Sequence, residues 1–357
     1  MRSLPVILLS LLFAASPGAA QTLRGRLVDV DSVTPVASAI VLLQDSAGRT
    51  MDKGVSNDAG RFQLRAVAPG TFALRVLRIG YAPWQAPVTL AAGQVLERSL
   101  LLNDARIDLP EVRVEGTGVC VNRADSDSLG IILWGQASTA LTLAKDGLRS
   151  RHYRFETVLE DRMVDSTGLL SQALPASGVN ASSTAWPVQS LPPDSLLRYG
   201  FITNREDLVE GPTWFGPDAD FLLSESFVAG HCLRSVPATP GLPAEWIGVS
   251  FEPANRSRLA DIRGTLWLDR ASVELRRIDY GYTQLPSWAH GRDASGSLGF
   301  VALRDGGWVV QRWSMRVPVP KVNTTTRVPG FYGYRESGGR VVAVLGPGGE
   351  VVQRFTQ

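Results

Sequence analysis

Short runs in which apolar and polar side chains alternate recur along most of this chain, each ended by Gly, Pro, Asn or Asp. A period of two suits a strand with one buried face, so the chain is confined to sheet architectures with many reversals. Arg61-Phe62-Gln63-Leu64-Arg65 places Phe62 and Leu64 on one face and the arginines on the other. Phe72-Ala73-Leu74-Arg75-Val76 repeats the pattern after Ala68-Pro69-Gly70, and Asn57-Asp58-Ala59-Gly60 offers a reversal, because these residues accept tight-turn dihedrals. The 35 Gly and 22 Pro among 357 residues supply the turns, while 44% hydrophobic content is too apolar for a mainly disordered chain. The length has room for two domains.

The first domain is expected at 21–105. Strands are predicted around Leu23–Asp29, Ala39–Leu43, Arg61–Arg65, Phe72–Val76 and Gln94–Leu102, giving an antiparallel sandwich with one modest core. Gly25-Arg26-Leu27-Val28-Asp29, Pro35 to Val41, Asn57 to Phe62 and Gly70-Thr71-Phe72-Ala73-Leu74 through Gly80-Tyr81 together resemble the carboxypeptidase regulatory-like family. The resemblance implies a prealbumin-like, transthyretin-type β-sandwich related to carbohydrate-binding-like domains. It implies no peptidase: zinc carboxypeptidase chemistry needs His and acidic ligands, and residues 22–105 contain no histidine. A spacer role or a protein- or glycan-binding role remains for this module.

Residues 1–20 read as a secretory signal. Met1-Arg2-Ser3 is the positive start, Leu4 to Ala15 the apolar core, and Ser16-Pro17-Gly18-Ala19-Ala20 the small-residue site that places cleavage before Gln21. A periplasmic or secreted destination follows, peripheral to the outer membrane at most, with no transmembrane segment expected in the mature chain.

Residues 106–119 read as a linker with one short strand. Leu109-Pro110-Glu111-Val112-Arg113-Val114-Glu115-Gly116 resembles the segment that joins such a sandwich to the plug of TonB-dependent receptors. The remaining length is expected to exclude the plug and membrane strands that a receptor needs.

Residues 120–357 are expected to form a larger, curved antiparallel sheet with packed helix. Asp125-Ser126-Asp127-Ser128 can cap a helix of about four turns running to Ala144, weakened by Gly130 and Gly135 by about 1 kcal/mol each relative to Ala. Lys145-Asp146-Gly147 reads as its end, and residues 171–220 as irregular chain crossing the mouth of the sheet. Alternating runs follow at Ile247–Pro253, Asp261–Asp269, Ser272–Tyr280, Val301–Leu303, Trp308–Arg316 and Arg340–Val344. Gly264 to Asp269 with Val273 to Ile278 resembles the strand–turn–strand unit of periplasmic lipoprotein-carrier-like half-barrels, which would imply an apolar groove; otherwise the same strands are a filled antiparallel core.

The chemical inventory is thin. Cys120 and Cys232, 112 positions apart in an exported chain, are expected to form a disulfide; two separate buried cysteines are the alternative. His152, His231 and His290 have no spacing that gathers them and are assigned surface or hydrogen-bonded roles. Asp218 and Asp220 are read as a solvated loop in preference to a calcium or acid pair. Nucleophile elbows, H-E-x-x-H, phosphate loops and calcium loops are absent from the sequence. No catalytic, cofactor or metal residue is therefore assigned. Eight of the nine tryptophans fall in the second domain, where most should pack the core. Trp214, Phe215 and Trp288, in Pro/Gly-rich stretches, are the candidate binding aromatics. A formal charge of +2 gives no field to gather nucleic acid. The reading is a non-enzymatic exported envelope protein that acts as a binding or accessory module for an envelope protein or glycan. A carbohydrate-binding protein is the second reading, a lipid or lipoprotein carrier the third and a hydrolase the last.

Overall fold

The structure, a computed structural model, describes residues 21–103 apart from 32, 38, 79 and 82, then 120, 127–151, 153–168, 170–173, 180–182, 186–203, 212–254, 258–304, 307–322 and 329–355. The signal at 1–20, the linker at 106–119 and His152 lie outside the described residues. The chain is mainly β and divides into two compact units, residues 1–76 with 84–103, and residues 77–83 with 104–357.

The first unit is a sandwich of seven strands: β1 (Gln21–Asp29), β2 (Ile40–Gln44), β3 (Thr50–Val55), β4 (Arg61–Ala66), β5 (Gly70–Leu77), β6 (Trp84–Leu90) and β7 (Val95–Leu102). One layer runs β4-β1-β7 and the other β3-β2-β5-β6. Alternation in β4 buries Phe62 and Leu64, and Leu23, Leu27, Leu43, Leu74 and Leu90 complete the core. The Asn57–Gly60 reversal is present, with Asn57 Oδ1 accepting from the Ala59 and Arg61 amides at 3.1 and 2.9 Å. It links β3 to β4, which belong to different layers, so it turns a corner and makes no hairpin. Two further features depart from expectation. β1 pairs β7 in parallel, a geometry that needs a long crossover, and residues 30–94 provide it. β6 carries Pro87, which hides it from a strand pattern; as the edge strand beside β5 it needs no second ladder partner.

The second unit is built on one curved antiparallel sheet of eleven strands. In chain order its elements are α1 (Ser128–Arg151), β8 (Arg154–Asp165), β9 (Leu170–Ala173), β10 (Asn180–Ser182), α2 (Pro193–Tyr199), β11 (Ile202–Thr203), β12 (Thr213–Trp214), α3 (Ala219–Leu222), α4 (Glu225–Gly230) and β13 (His231–Pro237). β14 (Trp246–Pro253), β15 (Ile262–Asp269), β16 (Leu275–Tyr282), β17 (Ser295–Ala302), β18 (Trp308–Val322), β19 (Pro329–Leu345) and β20 (Val351–Arg354) follow. The path is β10-β8-β19-β18-β17-β16-β15-β14-β13. β20 joins β19 through the Gly346–Gly349 turn, closed by the Gly346 amide on the Glu350 carbonyl at 2.8 Å.

α1 lies against β13 to β16 and β18. It runs on through Lys145-Asp146-Gly147 to Arg151, longer than the predicted four turns, because continued hydrogen bonding outweighs one interior glycine. Gly130 sits where the helix start meets β13: a Cβ there would stand 2.8 Å from the Leu233 carbonyl oxygen. Asp127 joins the same two elements, its carboxylate accepting from the Gly130 amide and, at 2.7 Å, from the Ser235 amide. One side chain thus caps the helix and closes part of the β13 edge. Cys120 and Cys232 are joined in a disulfide with Cα atoms 5.9 Å apart.

The face of the sheet that carries Phe251, Leu266, Ile278, Tyr280 and Leu298 is buried. Aromatic rings fill the space beneath the helices: Phe227 lies 5.2 Å from Trp134, 5.5 Å from Phe221 and 5.4 Å from Phe251 between ring centroids. Residues 171–220 are expected as irregular chain, yet residues 186–203 and 212–230, within that stretch and just after it, hold three short helices and two short strands and help cover this face, with Trp186 packing on Phe300 at 5.9 Å.

Candidate functional site

Because neighbouring side chains on a strand point to opposite faces, burying Leu266, Ile278, Tyr280 and Leu298 sends Thr265, Asp279, Ser297 and their neighbours to the other face. The ladder registers align these residues into three rows across the strands. The middle row runs Thr265, Asp279, Ser297, Ser314, Gly338, Glu160. One flanking row runs Trp267, Arg277, Gly299, Arg312, Arg340. The other runs Arg263, Gly281, Ser295, Arg316, Glu336, Arg162. At about 3.3 Å per residue the flanking rows stand about 13 Å apart. Between them lies a cavity of about 1250 Å³ whose lining includes all three rows. It is a trough with a floor of small hydroxyl and glycine residues and rims of guanidinium.

Seven arginines and five carboxylates line the trough, an excess of two positive charges. Glu336 holds two cations, Arg162 Nε at 2.6 Å and Arg316 at 3.2 Å. Asp279 accepts from Arg277 Nε at 2.6 Å and from the Trp267 indole at 3.0 Å, so the floor carboxylate is compensated. Arg316 also stacks over Tyr334 at 4.0 Å and Arg292 over Phe331 at 4.1 Å. Arg263 and Arg312, both exposed, make no ion pair among the described residues. The lining contains no His, Cys or Lys, and among the described residues no group of three or more His, Cys, Asp or Glu could hold a metal ion.

The aromatics singled out from sequence do not form a platform. Trp214 and Phe215 are 8% and 5% exposed, and Trp214 packs edge-on against Tyr282 at 5.1 Å while the Tyr282 hydroxyl donates to the Phe215 carbonyl at 2.8 Å. Their Pro/Gly-rich segment is a lid on the buried face of the sheet, so neither ring is open to a ligand. Trp288, half-buried, sits in the single turn Ser287–Ala289 beside β18 and β19. His231 is buried and stacked on Phe227 at 4.4 Å, its Nδ1 3.0 Å from the Phe227 carbonyl oxygen; His290 is exposed. Asp218 caps α3 by accepting from the Phe221 amide at 2.8 Å, and Asp220 pairs with Lys145. Burial pushes the Asp218 carboxyl above the usual carboxylate range, with the neighbouring Asp220 charge adding to the shift.

Sequence reasoning missed the trough. Its arginines lie in runs that read as ordinary outward-facing strand positions, and only the pairing of distant strands gathers them.

Residues 22–103 match the family model of the carboxypeptidase regulatory-like domain, a non-catalytic type of module; the match stops short of the joint and of the larger unit. No curated protein matches the sequence. Among solved structures the chain is similar to a minor pilin of Streptococcus agalactiae, at 15% identity over 28% of this chain and 49% of that one, with a TM-score of 0.22. It is also similar to 5-hydroxyisourate hydrolase of Klebsiella pneumoniae (18% identity, 24% of this chain, 91% of that one, TM-score 0.21). A third is catechol 1,2-dioxygenase of Pseudomonas arvilla C-1 (13% identity, 28% and 57%, TM-score 0.21). This chain thus spans about half the pilin's length. Likenesses this slight have no bearing on what the chain does.

Proposed function

We propose that this chain is an exported, non-enzymatic binding or accessory protein of the cell envelope, and that its larger unit holds a polar ligand in the trough. The observation that carries the reading is the asymmetry of the sheet: one face is filled by aromatic and aliphatic side chains, while the other offers a cavity floored by Thr265, Ser297, Ser314 and Gly338. A lipid carrier would need an apolar lining of that size, which favours a hydrophilic partner such as a glycan over an acyl chain. The regulatory-like sandwich serves as a companion module, and the destination is the periplasm or the exterior.

The test uses the mature chain, residues 21–357, against arrayed glycans, peptidoglycan fragments and lipid vesicles. Binding to a hydrophilic ligand is expected, with loss in Ser314→Trp, which fills the floor, at an unchanged melting temperature. Binding that survives this substitution, or that goes to the vesicles alone, overturns the trough reading. Recovery of the native protein with residues 1–20 still attached overturns export.

A further inference from the structure

We infer that the ligand of the trough is an acidic polysaccharide, a glycan that carries carboxylates spaced along a hydroxyl-rich backbone; the inference rests on the trough being the binding site. Three features of the lining select this class. The rims are arginines, whose planar forks pair bidentately with carboxylates, and Arg263 and Arg312 present such forks with no ion pair among the described residues. The floor is Thr265, Ser297 and Ser314, hydroxyls that both donate and accept and so match sugar hydroxyls. The carboxylates of Asp279, Glu336 and Glu160 alternate with the arginines, so the trough is a lattice of both signs. A dense polyanion such as a nucleic acid would meet repulsion at each of these, whereas a chain with one carboxylate per sugar and neutral hydroxyls between can place its charges on the arginines alone.

The same geometry disfavours an acidic peptide. The trough lies on the face of the sheet, where the backbone groups of β15 to β19 are already paired in the ladder and cannot add a strand. The middle row also carries hydroxyls, glycine and carboxylates, Thr265, Asp279, Ser297, Ser314, Gly338 and Glu160, and so no apolar side chain against which a peptide side chain could seat. Flanking rows about 13 Å apart leave room for a sugar chain to lie along the middle row with its carboxylates turned to either rim.

The experiment is calorimetric titration of the mature protein with oligomers of galacturonate, mannuronate and glucuronate, with the methyl ester of each oligomer and with poly-glutamate. The expected result is that at least one uronate oligomer binds, that its ester binds at least tenfold more weakly, and that affinity falls as salt rises. Arg312→Gln and Arg263→Gln should each cost about tenfold, the loss of one charge-assisted contact. Arg312→Lys should recover only part of that, because the charge returns without the fork. Arg335→Gln, which breaks a pair with Asp161 away from the trough, should leave affinity unchanged. Equal binding of acid and ester overturns the inference while leaving the trough as a neutral-glycan site. Tighter binding of poly-glutamate overturns it in favour of an acidic peptide. Binding of none of these, acid or ester, overturns the trough reading together with the inference.

Discussion

Asp127→Ala should destabilise the larger unit more than an ordinary cap mutation, because the one carboxylate serves two elements. As helix cap it accepts from the Gly130 amide, and loss of such a cap costs about 1 kcal/mol. Its second oxygen accepts from the Ser235 amide at 2.7 Å and the Ser235 hydroxyl at 3.2 Å. A hydrogen bond to a charged group contributes about 1.5 kcal/mol at the low end, which is the appropriate end for a half-buried site. Together the expected loss is about 2.5 kcal/mol, near 5–10 °C in the melting temperature of a unit this size. Asp127→Ser separates the two contributions: serine caps nearly as well as aspartate but cannot span to Ser235, so it should lose about 1.5 kcal/mol. Urea unfolding followed by tryptophan fluorescence reads the effect, since Trp134 on α1 packs against Phe227. If alanine lies within about 0.5 kcal/mol of the native chain, as an ordinary surface substitution would, α1 and β13 are not held through this carboxylate.

Reducing the Cys120–Cys232 disulfide, or replacing both cysteines with serine, opens a loop with a sequence separation of 112, worth about 4.8 kcal/mol in the chain-entropy model. The larger unit should melt earlier in reductant while the sandwich, whose strands lie outside that loop, melts as before; a calorimetric trace indifferent to reductant rejects the link. For Asp218 the folded state holds the carboxyl above its unfolded value of 3.8, so folding takes up a proton. That contribution is present in full below the unfolded value and is lost as pH rises through the raised folded value. Asp218→Asn, which keeps an oxygen for the Phe221 amide, should therefore be no less stable than the native chain at pH 7. Its stability should also fall less between pH 4 and pH 7, and identical pH profiles of the two proteins would sink this account.

Alternation made some of this fold readable and hid the rest for a physical reason. β4, β15 and β16 were legible because one side of each strand is continuously buried: Phe62 and Leu64, then Leu266 and Leu268, then Ile278 and Tyr280. β17 left only its last residues visible, since Ser295-Gly296-Ser297 and Gly299 show no apolar beat. Gly296 is required there: a Cβ would stand 2.3 Å from the Tyr280 ring. Ser295, Ser297 and Gly299 face the trough, so three of the residues that silence the strand signal are ones that line the site. α3 and α4, four and six residues long, are shorter than two helical turns and give no period to detect. Trp214 and Phe215 misled because a Pro/Gly-rich stretch suggests a surface loop, whereas this one is pinned by Tyr282 against the sheet.

The trough itself is a property of register. Arg277, Arg312 and Arg340 occupy one row only because β16, β17, β18 and β19 pair as they do, with Gly299 between the first two. A slip of one residue in any of these ladders would turn the arginines of that strand toward Leu298 and Tyr280 and bury their charges unpaired, at several kcal/mol each. The buried aromatics of one face therefore fix the placement of the charges on the other. The hydrophobic pattern that a reader takes as evidence of a core is also what aims the guanidinium forks. That coupling separates two kinds of substitution. Changing Arg312 or Arg263 alters the rim without disturbing the ladder, whereas changing Leu298 or Ile278 would disturb both faces at once. Loss of binding in the first kind at an unchanged melting temperature is thus the outcome that a purely structural role for the open face cannot produce.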